Sequence, residues 1–516
     1  MPETDDAAAA LERARAAGFV LLRIPTPFAV GRVNCWLVET EPLTLIDTGP
    51  NSGKALDELE RQLAAAGHAI EDLGLIVITH QHVDHTGLAE IVAERSGAEV
   101  AALGAAAAAW YVSDSLRHRR EGAFGYELGA DLDVASPAFM RASEALTGAP
   151  VTEGNEVELF VNGDAIFPAI LETIASARHT LNLETYVYWR GDITDAIAGA
   201  VCARARAGVR CNVILDALGS ALMDRGQLRE MEAAGVNVVR FRPVKPYTLR
   251  RLANRSHRRV LVADGKVGMT GGVGIAEEWT GDAQDPDHWR DTHVRVRGPA
   301  VRGLQGAFAE HWLEATGEVL GGEGYLPELE PAGEGIAQVV RSKSGVGDTN
   351  VEVLYYLAIA SAQRSIDLTA AYFVPRPAFT EALADAAERG VRVRILAPGE
   401  HIDKGFVRVA GRAAYERLLR AGARIFEYAP TMLHAKTMVV DEAWSSVGTV
   451  NFDNRSFQLH DEITLCVWDG HFARLLGDQY ARDLERADAI EPGRWRGRAL
   501  RQRAGEVAMR LLRREL

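Results

Sequence analysis

The chain lacks the features of a secreted or membrane-spanning protein. Its first eighteen residues are acidic and rich in alanine, without the basic start and apolar run of a secretory signal. It has no stretch of eighteen or more strongly apolar residues, which argues against a spanning helix. The 516 residues include only four cysteines, and their spacing fits neither a zinc site nor a disulfide framework. We therefore expect a cytoplasmic protein with reduced, buried cysteines.

Cations are also scarce relative to acids, since the formal net charge is −14. The cations that exist are concentrated. Residues 240–259 hold eight Lys and Arg and no acid, and residues 494–514 hold eight Arg against one Glu. An acidic body is repelled by an anionic membrane except where such segments face it, so the distribution predicts an oriented approach to the membrane surface. The acidic body also argues against a nucleic-acid partner.

One eight-residue pattern occurs twice, as His257–Asp264 and His434–Asp441, at an offset of 177 positions. In each copy a cation, Arg259 or Lys436, stands two positions after the histidine. Residues two apart share one face of a strand, so imidazole and cation can converge on one group of anionic oxygens. Two such half-sites suit a phosphodiester. One histidine attacks phosphorus, the other protonates the leaving alkoxide, and the cations stabilise the equatorial oxygens.

Weaker repeats surround this pattern. Ile174–Ala177 recurs as Ile359–Ala362, and Gly208–Arg210 recurs as Gly390–Arg392. Each repeat is predicted to run helix, strand, helix, strand, helix and catalytic strand. That alternation favours an α/β layered fold with a largely parallel sheet in each half. Residues 321–335, rich in Gly, Pro and Glu, predict the linker between the halves.

Aromatic residues end the first predicted strand of each repeat: Tyr186 in the first, Tyr372 and Phe373 in the second. Ligands commonly meet α/β sheets at this edge, so these rings are candidates for contact with substrate. Packing in the core explains them nearly as well.

The paired pattern HxKxxxxD, followed in its second copy by Gly448, Thr449 and Asn451, resembles the phospholipase D superfamily. Four longer strings are similar to the bacterial cardiolipin synthase branch: residues 289–293, 401–404, 431–436 and 448–457. The resemblance covers roughly residues 151–490. It implies two phospholipase D-like α/β repeats packed about a pseudo-two-fold axis.

The resemblance also implies roles. His257 would be the nucleophile that forms a phosphohistidine, and His434 the acid that protonates the departing glycerol-type oxygen. Asp291 and Glu462 match the positions whose carboxylates hold the second nitrogen of each imidazole. The motifs add further candidates: Arg259, Lys436, Asp264 and Asp441 to the catalytic set, and Gly271, Gly272, Thr449 and Asn451 to the substrate-binding set. Asp264 and Asp441 are expected to serve structure or a neighbouring hydrogen bond rather than direct attack.

Three positions depart from the family pattern. Arg259 stands where the family has Lys, Gly274 where it has Asn, and His460 where Asn is usual. Arginine keeps the charge and adds a bidentate fork, but its geometry differs from that of a lysine point charge. A catalytically silent lipid-binding scaffold therefore stays open beside the enzyme hypothesis.

A second pattern lies near the amino terminus, where residues 19–110 read as alternating strands and helices, with a helix at about residues 52–66. A string after a predicted strand carries residue types that bind zinc: His80, His82, Asp84 and His85. It resembles the metallo-β-lactamase superfamily, which completes its site from a second half of the domain. We expect a partial α/β domain of that type, with at most a vestigial zinc site.

The predicted domains are a partial metallo-β-lactamase-like domain, a linker, two phospholipase D-like repeats and a basic amphipathic C-terminal helix: residues 1–115, 116–150, 151–330, 331–490 and 491–516. Trp495 would suit a membrane interface. The predicted function is transfer of a phosphatidyl group between phosphatidylglycerol molecules, without a required cofactor, on the inner face of the cell membrane. A phospholipase D-type hydrolase is the alternative, and a nuclease is disfavoured by the acidic body.

Overall fold

The computed structural model describes residues 12–26, 32–79, 85, 87–102, 128–129, 131–243, 254–344 and 349–496. The chain divides into two compact units, residues 1–122 and 123–516. None of the helices in these ranges is long and apolar enough to cross a membrane. All four cysteines are buried thiols.

The smaller unit is built on one five-stranded sheet with the strands in chain order. Its strands are β1 (Phe19–Pro25), β2 (Arg32–Val38), β3 (Thr44–Ile46), β4 (Leu75–Ile78) and β5 (Glu99–Ala102). Its helices are α1 (Gly53–Ala65) and α2 (Ala89–Ser96), with a short 3-10 turn at Ile70–Asp72. The helix predicted at residues 52–66 is confirmed: the Ser52 side chain caps its first turn, and Leu59 and Leu63 are buried.

The larger unit contains one continuous sheet. Its strands are β6 (Val151–Val161), β7 (Thr180–Thr185), β8 (Arg210–Asp216), β9 (Asn237–Phe241), β10 (Arg255–Ser256), β11 (Val260–Ala263), β12 (Val267–Gly271), β13 (Thr292–Arg297), β14 (Gly335–Ser342), β15 (Ser365–Ala370), β16 (Arg392–Pro398), β17 (Arg424–Tyr428), β18 (Lys436–Val440), β19 (Trp444–Gly448), β20 (His460–Trp468) and β21 (Ala487–Ala489).

The helices of this unit cover both faces of the sheet. They are α3 (Pro137–Thr147), α4 (Asn162–Ser176), α5 (Asp192–Arg206), α6 (Arg225–Ala233), α7 (Val301–Thr316), α8 (Asn350–Ser361), α9 (Pro377–Glu388), α10 (Gly405–Ala421), α11 (Gly470–Glu485) and α12 (Pro492–Arg496). Shorter turns lie at Glu277–Trp279 and Arg455–Leu459. Helix α3 falls inside the segment predicted as a linker.

The two repeats have one topology. Along the sheet the first repeat runs β6-β13-β12-β11-β7-β8-β9, and the second runs β14-β20-β19-β18-β15-β16-β17. Strands β6 and β14 pair antiparallel, and this pairing joins the two halves into one sheet. The predicted α/β fold of two repeats is thus confirmed.

The prediction of a largely parallel sheet in each half is wrong. Only β7-β8-β9 and β15-β16-β17 are parallel runs joined by helices, and the other pairings within each repeat are antiparallel. The reason is local. After β11 the chain reverses in a tight turn at Asp264 and Gly265, both with positive φ, instead of crossing over through a helix.

Three large apolar clusters support this sheet. One fills each repeat, and a third lies between them beneath α7 and α11, with Phe308 and Phe472 among its members. The first two clusters therefore hold the strands of each repeat, and the third fixes one repeat against the other. The histidine segments are positioned by this shared core.

The prediction of a basic C-terminal helix with Trp495 at a membrane interface is corrected in part. Trp495 is buried, with its ring 5.2 Å from that of Tyr415 and the Arg412 guanidinium 5.3 Å above it, so it belongs to the core and not to a membrane interface. Helix α12 is described as far as Arg496. The rest of the predicted basic helix lies outside the described residues.

Candidate active site

Each histidine of the repeated motif lies just before its strand, held by backbone bonds to the other repeat. Strand β10 pairs in parallel with the start of β20, and the His257 amide donates to the Asp461 carbonyl at 2.9 Å. In the same way, the His434 amide donates to the Arg290 carbonyl at 2.7 Å. Neither half-site is therefore complete without the opposite repeat.

The carboxylates that orient the imidazoles are exchanged between repeats. His257 Nδ1 lies 3.0 Å from Glu462 Oε1, and His434 Nδ1 lies 2.7 Å from Asp291 Oδ2. A carboxylate on Nδ1 favours the tautomer that protonates this nitrogen, which leaves the Nε2 lone pair available. The structure brings together all four of these predicted residues, and Asp291 serves the histidine of the second repeat.

Each carboxylate is held by further donors. Glu462 accepts hydrogen bonds from the hydroxyls of Thr449 and Ser456, the latter at 2.7 Å. Asp291 accepts the indole N–H of Trp279 at 2.8 Å and the Thr292 amide at 2.7 Å. Thr449, predicted to bind substrate, donates its hydroxyl to Glu462, and its contact with substrate stays a prediction.

The cation of each motif lies beside the available nitrogen. One guanidinium N–H of Arg259 donates to the His257 carbonyl at 2.8 Å, and its other terminal nitrogen lies 3.2 Å from His257 Nε2. Lys436 Nζ lies 3.1 Å from His434 Nε2 and donates to the His434 carbonyl. An anionic oxygen arriving at either Nε2 would therefore meet a cation at once.

Burial keeps both imidazoles neutral at physiological pH. Desolvation, assisted by the charge of Arg259, lowers the pKa of His257 well below its usual value. Desolvation and the charge of Lys436 lower the pKa of His434 to about 4. For Asp291 and Glu462 burial acts in the opposite direction, but the adjacent histidines outweigh it and the pKa of each carboxyl is lowered. The resting site thus holds neutral histidines on ionised carboxylates.

Burial also affects the two cations. It lowers the pKa of Lys436 to about 7, although the charge of Asp291 opposes this shift. Burial lowers the pKa of Arg259 as well. A guanidinium starts from a far higher value, so Arg259 stays charged where Lys436 begins to titrate.

The aromatic residues predicted at the strand ends take different places. The Tyr186 ring lies 5.2 Å from the ring of His257. The Tyr372 hydroxyl donates to Asp403 at 2.8 Å, within the string that resembles the synthases. Phe373 is a core residue stacked on Phe452. Two of the three rings therefore border the site, and the third packs in the core.

Asp264 and Asp441 lie away from the reacting atoms. Each follows its strand at a left-handed position, with φ of 54° and 55°. The Asp264 carboxylate accepts three backbone amides from residues 178–180, and that of Asp441 accepts three from residues 363–365. Their place in the catalytic set is corrected, because the structure shows the structural role that the strand geometry favoured.

Gly271 and Gly272, which follow the first motif, leave room for the backbone and side chain of the segment that carries Asp291. A Cβ on Gly272 would lie 2.1 Å from Asp291 Oδ1, and one on Gly271 would lie 2.5 Å from the Thr292 carbonyl. They allow close approach of two strands, and their predicted place in the substrate-binding set stays a prediction. A Cβ on Gly274 would lie 3.0 Å from the Trp279 ring, so the tryptophan occupies the room that an asparagine would need.

Several buried polar atoms in the site have no hydrogen-bond partner among the described residues. They include the side-chain oxygen of Asn451 and the Nε of Arg259. A buried polar atom without a partner costs free energy unless a ligand satisfies it. Asn451 therefore fits its predicted place in the substrate-binding set.

The predicted metal ligands of the smaller unit lie mostly outside the described residues, which include none of His80, His82 and Asp84. His85 is described, and its Nδ1 lies 2.8 Å from Asp47 Oδ2. Asp47 also accepts the amide and hydroxyl of Thr79. This one imidazole–carboxylate pair fits zinc chemistry, but it is a fragment of a ligand set.

Sequence reasoning missed three supports of the site: Ser456, Trp279 and Trp289. Ser456 and Trp289 each lie within a string that carried the family resemblance, residues 448–457 and 289–293, so the resemblance was a usable signal for both. The Trp279 and Trp289 rings lie 5.1 and 5.6 Å from that of His434. No spacing rule relates these tryptophans to a histidine more than 140 positions away.

Two α/β repeats that exchange carboxylates across paired histidines define a phospholipase D-type enzyme. Comparison with known proteins agrees. The family model described as "Cardiolipin synthase, PLD-like domain" matches residues 170–306 and 355–484, and the model described as "Metallo-beta-lactamase superfamily" matches residues 29–170. The second match runs past the predicted boundary, whereas residues 151–161 form β6 of the large sheet.

Curated relatives identify the branch of the superfamily to which the chain belongs. A cardiolipin synthase of Geobacillus kaustophilus is 36% identical over 70% of this chain and 73% of its own length, and one of Alkalihalophilus pseudofirmus is 34% identical over 72% and 74%. A solved phosphatidylserine synthase of Haemophilus influenzae shares the fold, with a TM-score of 0.53 at 14% identity over 73% of this chain and 99% of its own. The chain belongs to the cardiolipin synthase family of phospholipase D-type phosphatidyltransferases, with a metallo-β-lactamase-like domain in front.

Proposed function

We propose that the protein transfers a phosphatidyl group from one phosphatidylglycerol molecule to another, releasing glycerol and forming cardiolipin. The observation that carries this proposal is the pair of neutral imidazoles, each with a carboxylate on Nδ1 and a cation at Nε2. Such a pair supplies a nucleophile, an acid and two anion-stabilising groups. It requires no metal or other cofactor.

In the first half-reaction His257 Nε2 attacks phosphorus, and the bond from phosphorus to the glycerol oxygen breaks. An anionic phosphodiester beside His434 favours its protonated form, so His434 can donate the proton that the glycerol oxygen needs. Arg259 and Lys436 stabilise the charge on the equatorial oxygens. The products are a phosphatidyl-His257 intermediate, neutral His434 and free glycerol.

In the second half-reaction His434 accepts the proton of a hydroxyl on a second phosphatidylglycerol. The resulting oxygen attacks phosphorus, the bond from phosphorus to nitrogen breaks, and cardiolipin leaves with His257 regenerated. Water in place of the alcohol would give phosphatidic acid. Exclusion of water at this stage separates a synthase from a hydrolase.

Purified protein with phosphatidylglycerol vesicles tests the proposal. Cardiolipin plus glycerol is expected, while phosphatidic acid plus glycerol would show a hydrolase. Lipid binding without turnover would show a scaffold. His257→Ala and His434→Ala should each abolish turnover, with circular dichroism checking that both fold. Phosphorus-labelled lipid should label the protein covalently, and loss of this label in His257→Ala would assign the nucleophile.

Because the substrate is a bilayer lipid, we place the protein peripherally on the inner face of the cell membrane. The three cations that the sequence places at residues 244–253 support this placement, since cations near an anionic surface each contribute about 1 kcal/mol of attraction. Arg255, Arg258 and Arg259, which belong to the same predicted basic segment, are buried and therefore contribute no surface charge. Cell fractionation tests it. The protein should sediment with inner membranes at low salt and be released by high salt.

A further inference from the structure

Among the exposed large apolar side chains of the larger unit, four lie in two short stretches next to the active site. Leu218 and Leu222 are 45% and 61% exposed, and Phe406 and Val409 are 50% and 37% exposed. We call these four residues the apolar rim. Single exposed apolar side chains need no explanation, but a group beside an active site does.

The first stretch is a rigid loop on the wall of the site. The amides of Leu218 and Gly219 donate to Asp216 Oδ1 at 2.9 and 3.0 Å, and the Ser220 hydroxyl donates to the Tyr186 carbonyl at 2.9 Å. The ring of Tyr186 in turn lies against His257. A hydrogen-bonded loop therefore holds the two exposed leucines. Only Tyr186 separates this loop from the nucleophile His257.

The second stretch has the corresponding place in the other repeat. Phe406 and Val409 lie three positions apart at the start of α10, so they share its outer face. The inner face packs Val407 and Ala410 in a small cluster that includes Tyr372. The rim residues of the second repeat are thus fixed to the tyrosine at its strand end.

The two tyrosines bring both stretches to one site. The Tyr186 ring lies 5.2 Å from the ring of His257. The Tyr372 carbonyl accepts the amide of Phe452 at 3.0 Å, and Phe452 directly follows Asn451 of the site. The apolar rim therefore borders the entrance to one site, with one half contributed by each repeat.

Exposed cations lie beside both halves of the rim among the described residues. Arg190 follows Trp189, whose indole N–H donates to the Gly219 carbonyl of the first stretch at 2.9 Å. Lys404 lies two positions before Phe406. Such cations can contact anionic headgroups when the neighbouring apolar side chains enter a bilayer.

We propose that the apolar rim inserts into an anionic lipid bilayer, so that the mouth of the site opens onto the headgroup layer. The proposal rests on the proposed function, because a bilayer lipid is the substrate to be admitted. Apolar side chains that enter the acyl boundary, with cations among the headgroups, are the combination that binds a membrane surface. A donor lipid can then reach His257 without its acyl chains crossing water.

The first test compares substrate in vesicles with dispersed substrate. The double variant Leu222→Ser, Phe406→Ser is assayed on phosphatidylglycerol vesicles and on a short-chain phosphatidylglycerol below its micelle concentration. The ratio of vesicle to monomer turnover should fall at least about tenfold, since each side chain loses the burial of a large apolar group. An equal fall on both substrates, or none on vesicles, would overturn the proposal.

Two exposed leucines of the same unit provide matched controls. Leu146 is 54% exposed in the last turn of α3, and Leu326 is 40% exposed. Leu326 follows Tyr325, whose hydroxyl accepts from Asn212 near the start of β8, at the edge opposite the site. Leu146→Ser with Leu326→Ser should leave the turnover ratio within about twofold of that of the parent protein.

A second measurement does not depend on turnover. Since all four native cysteines are buried, Leu222→Cys or Leu326→Cys can be labelled selectively with a polarity-sensitive fluorophore. Vesicles of phosphatidylglycerol should shift the emission of the label at 222 to shorter wavelength and leave that at 326 unchanged. If the shift occurs without cardiolipin formation, the proposed function fails and the docking surface stands. Cardiolipin formation without the shift removes the docking surface alone.

Discussion

At the scale of single residues, the two half-sites share a plan but differ in chemistry. Arg259 occupies the place of Lys436, and the ring beside each imidazole is His460 in one half and Trp289 in the other. Only one of the two cations titrates near neutrality. The half that carries His257 thus keeps its charge over the whole physiological range, and pH sensitivity lies in the half that carries His434.

Arg259 is predicted to contribute to transition-state stabilisation. Arg259→Ala should lower kcat about a hundredfold, because loss of one donor to developing phosphoryl charge typically costs about 3 kcal/mol. Arg259→Lys should preserve or raise activity, since the family pattern has lysine there. Steady-state kinetics on phosphatidylglycerol vesicles measures both. Arg297→Ala, which removes a cation paired with Glu156 and Glu158 at the end of β13 away from Asp291, is the control. Normal turnover by Arg259→Ala would place this residue outside the site.

The pH dependence of kcat/KM should report Lys436. Burial lowers its pKa to about 7, so the ammonium is charged below pH 7 and loses its proton as the pH rises through that value. We expect kcat/KM to decline on this alkaline side, where the phosphoryl oxygens lose one cation. Lys436→Arg should move the decline to higher pH, because a guanidinium does not deprotonate in this range. An unchanged alkaline limb in that variant would contradict the assignment.

At the scale of elements, the site depends on the short connections that precede and follow strands β11 and β18. The turns after them reverse the chain, and the extended residues before them, 255–257 and 432–434, lie along the strand of the other repeat. Strand pairing thus delivers each imidazole to a carboxylate more than 140 residues away in sequence. The hairpin turn is a structural requirement of the motif, which explains why its aspartate belongs to the repeated pattern.

Asp264→Ala is predicted to lower stability and leave the chemistry intact. The substitution removes the acceptor of three backbone amides and puts alanine at φ 54°, and unmet hydrogen bonds to a charged group typically cost about 1.5–3 kcal/mol. Thermal unfolding should show a lower Tm. At a temperature where the variant is folded, kcat should stay within about twofold of the parent value. A hundredfold loss of kcat at an unchanged Tm would return this aspartate to the catalytic set.

At the scale of the whole molecule, the sequence predicted the catalytic residues better than the order and direction of the strands that position them. The duplicated motif identified both histidines and both cations, because residue type and spacing follow from what a phosphodiester needs, and the family resemblance supplied both carboxylates. The exchange of Asp291 and Glu462 between repeats could not be predicted, since it depends on pairing between distant strands. Strands β9 and β17 and the antiparallel hairpins were missed for a related reason: short buried runs carry little periodicity, and register is set by tertiary contacts.

The smaller unit is predicted to be dispensable for phosphatidyl transfer. All the described side chains of the active site belong to the larger unit. The zinc-type string near the amino terminus is not followed in the sequence by a second motif of the kind that closes such a site. Chelation and the double variant His80→Ala, His82→Ala should therefore leave cardiolipin formation unchanged, and purified protein should contain less than one zinc per chain. Elemental analysis and the vesicle assay measure both. Two tightly held zinc ions, or transfer abolished by the double variant, would show that this unit supplies a complete site on which the reaction depends.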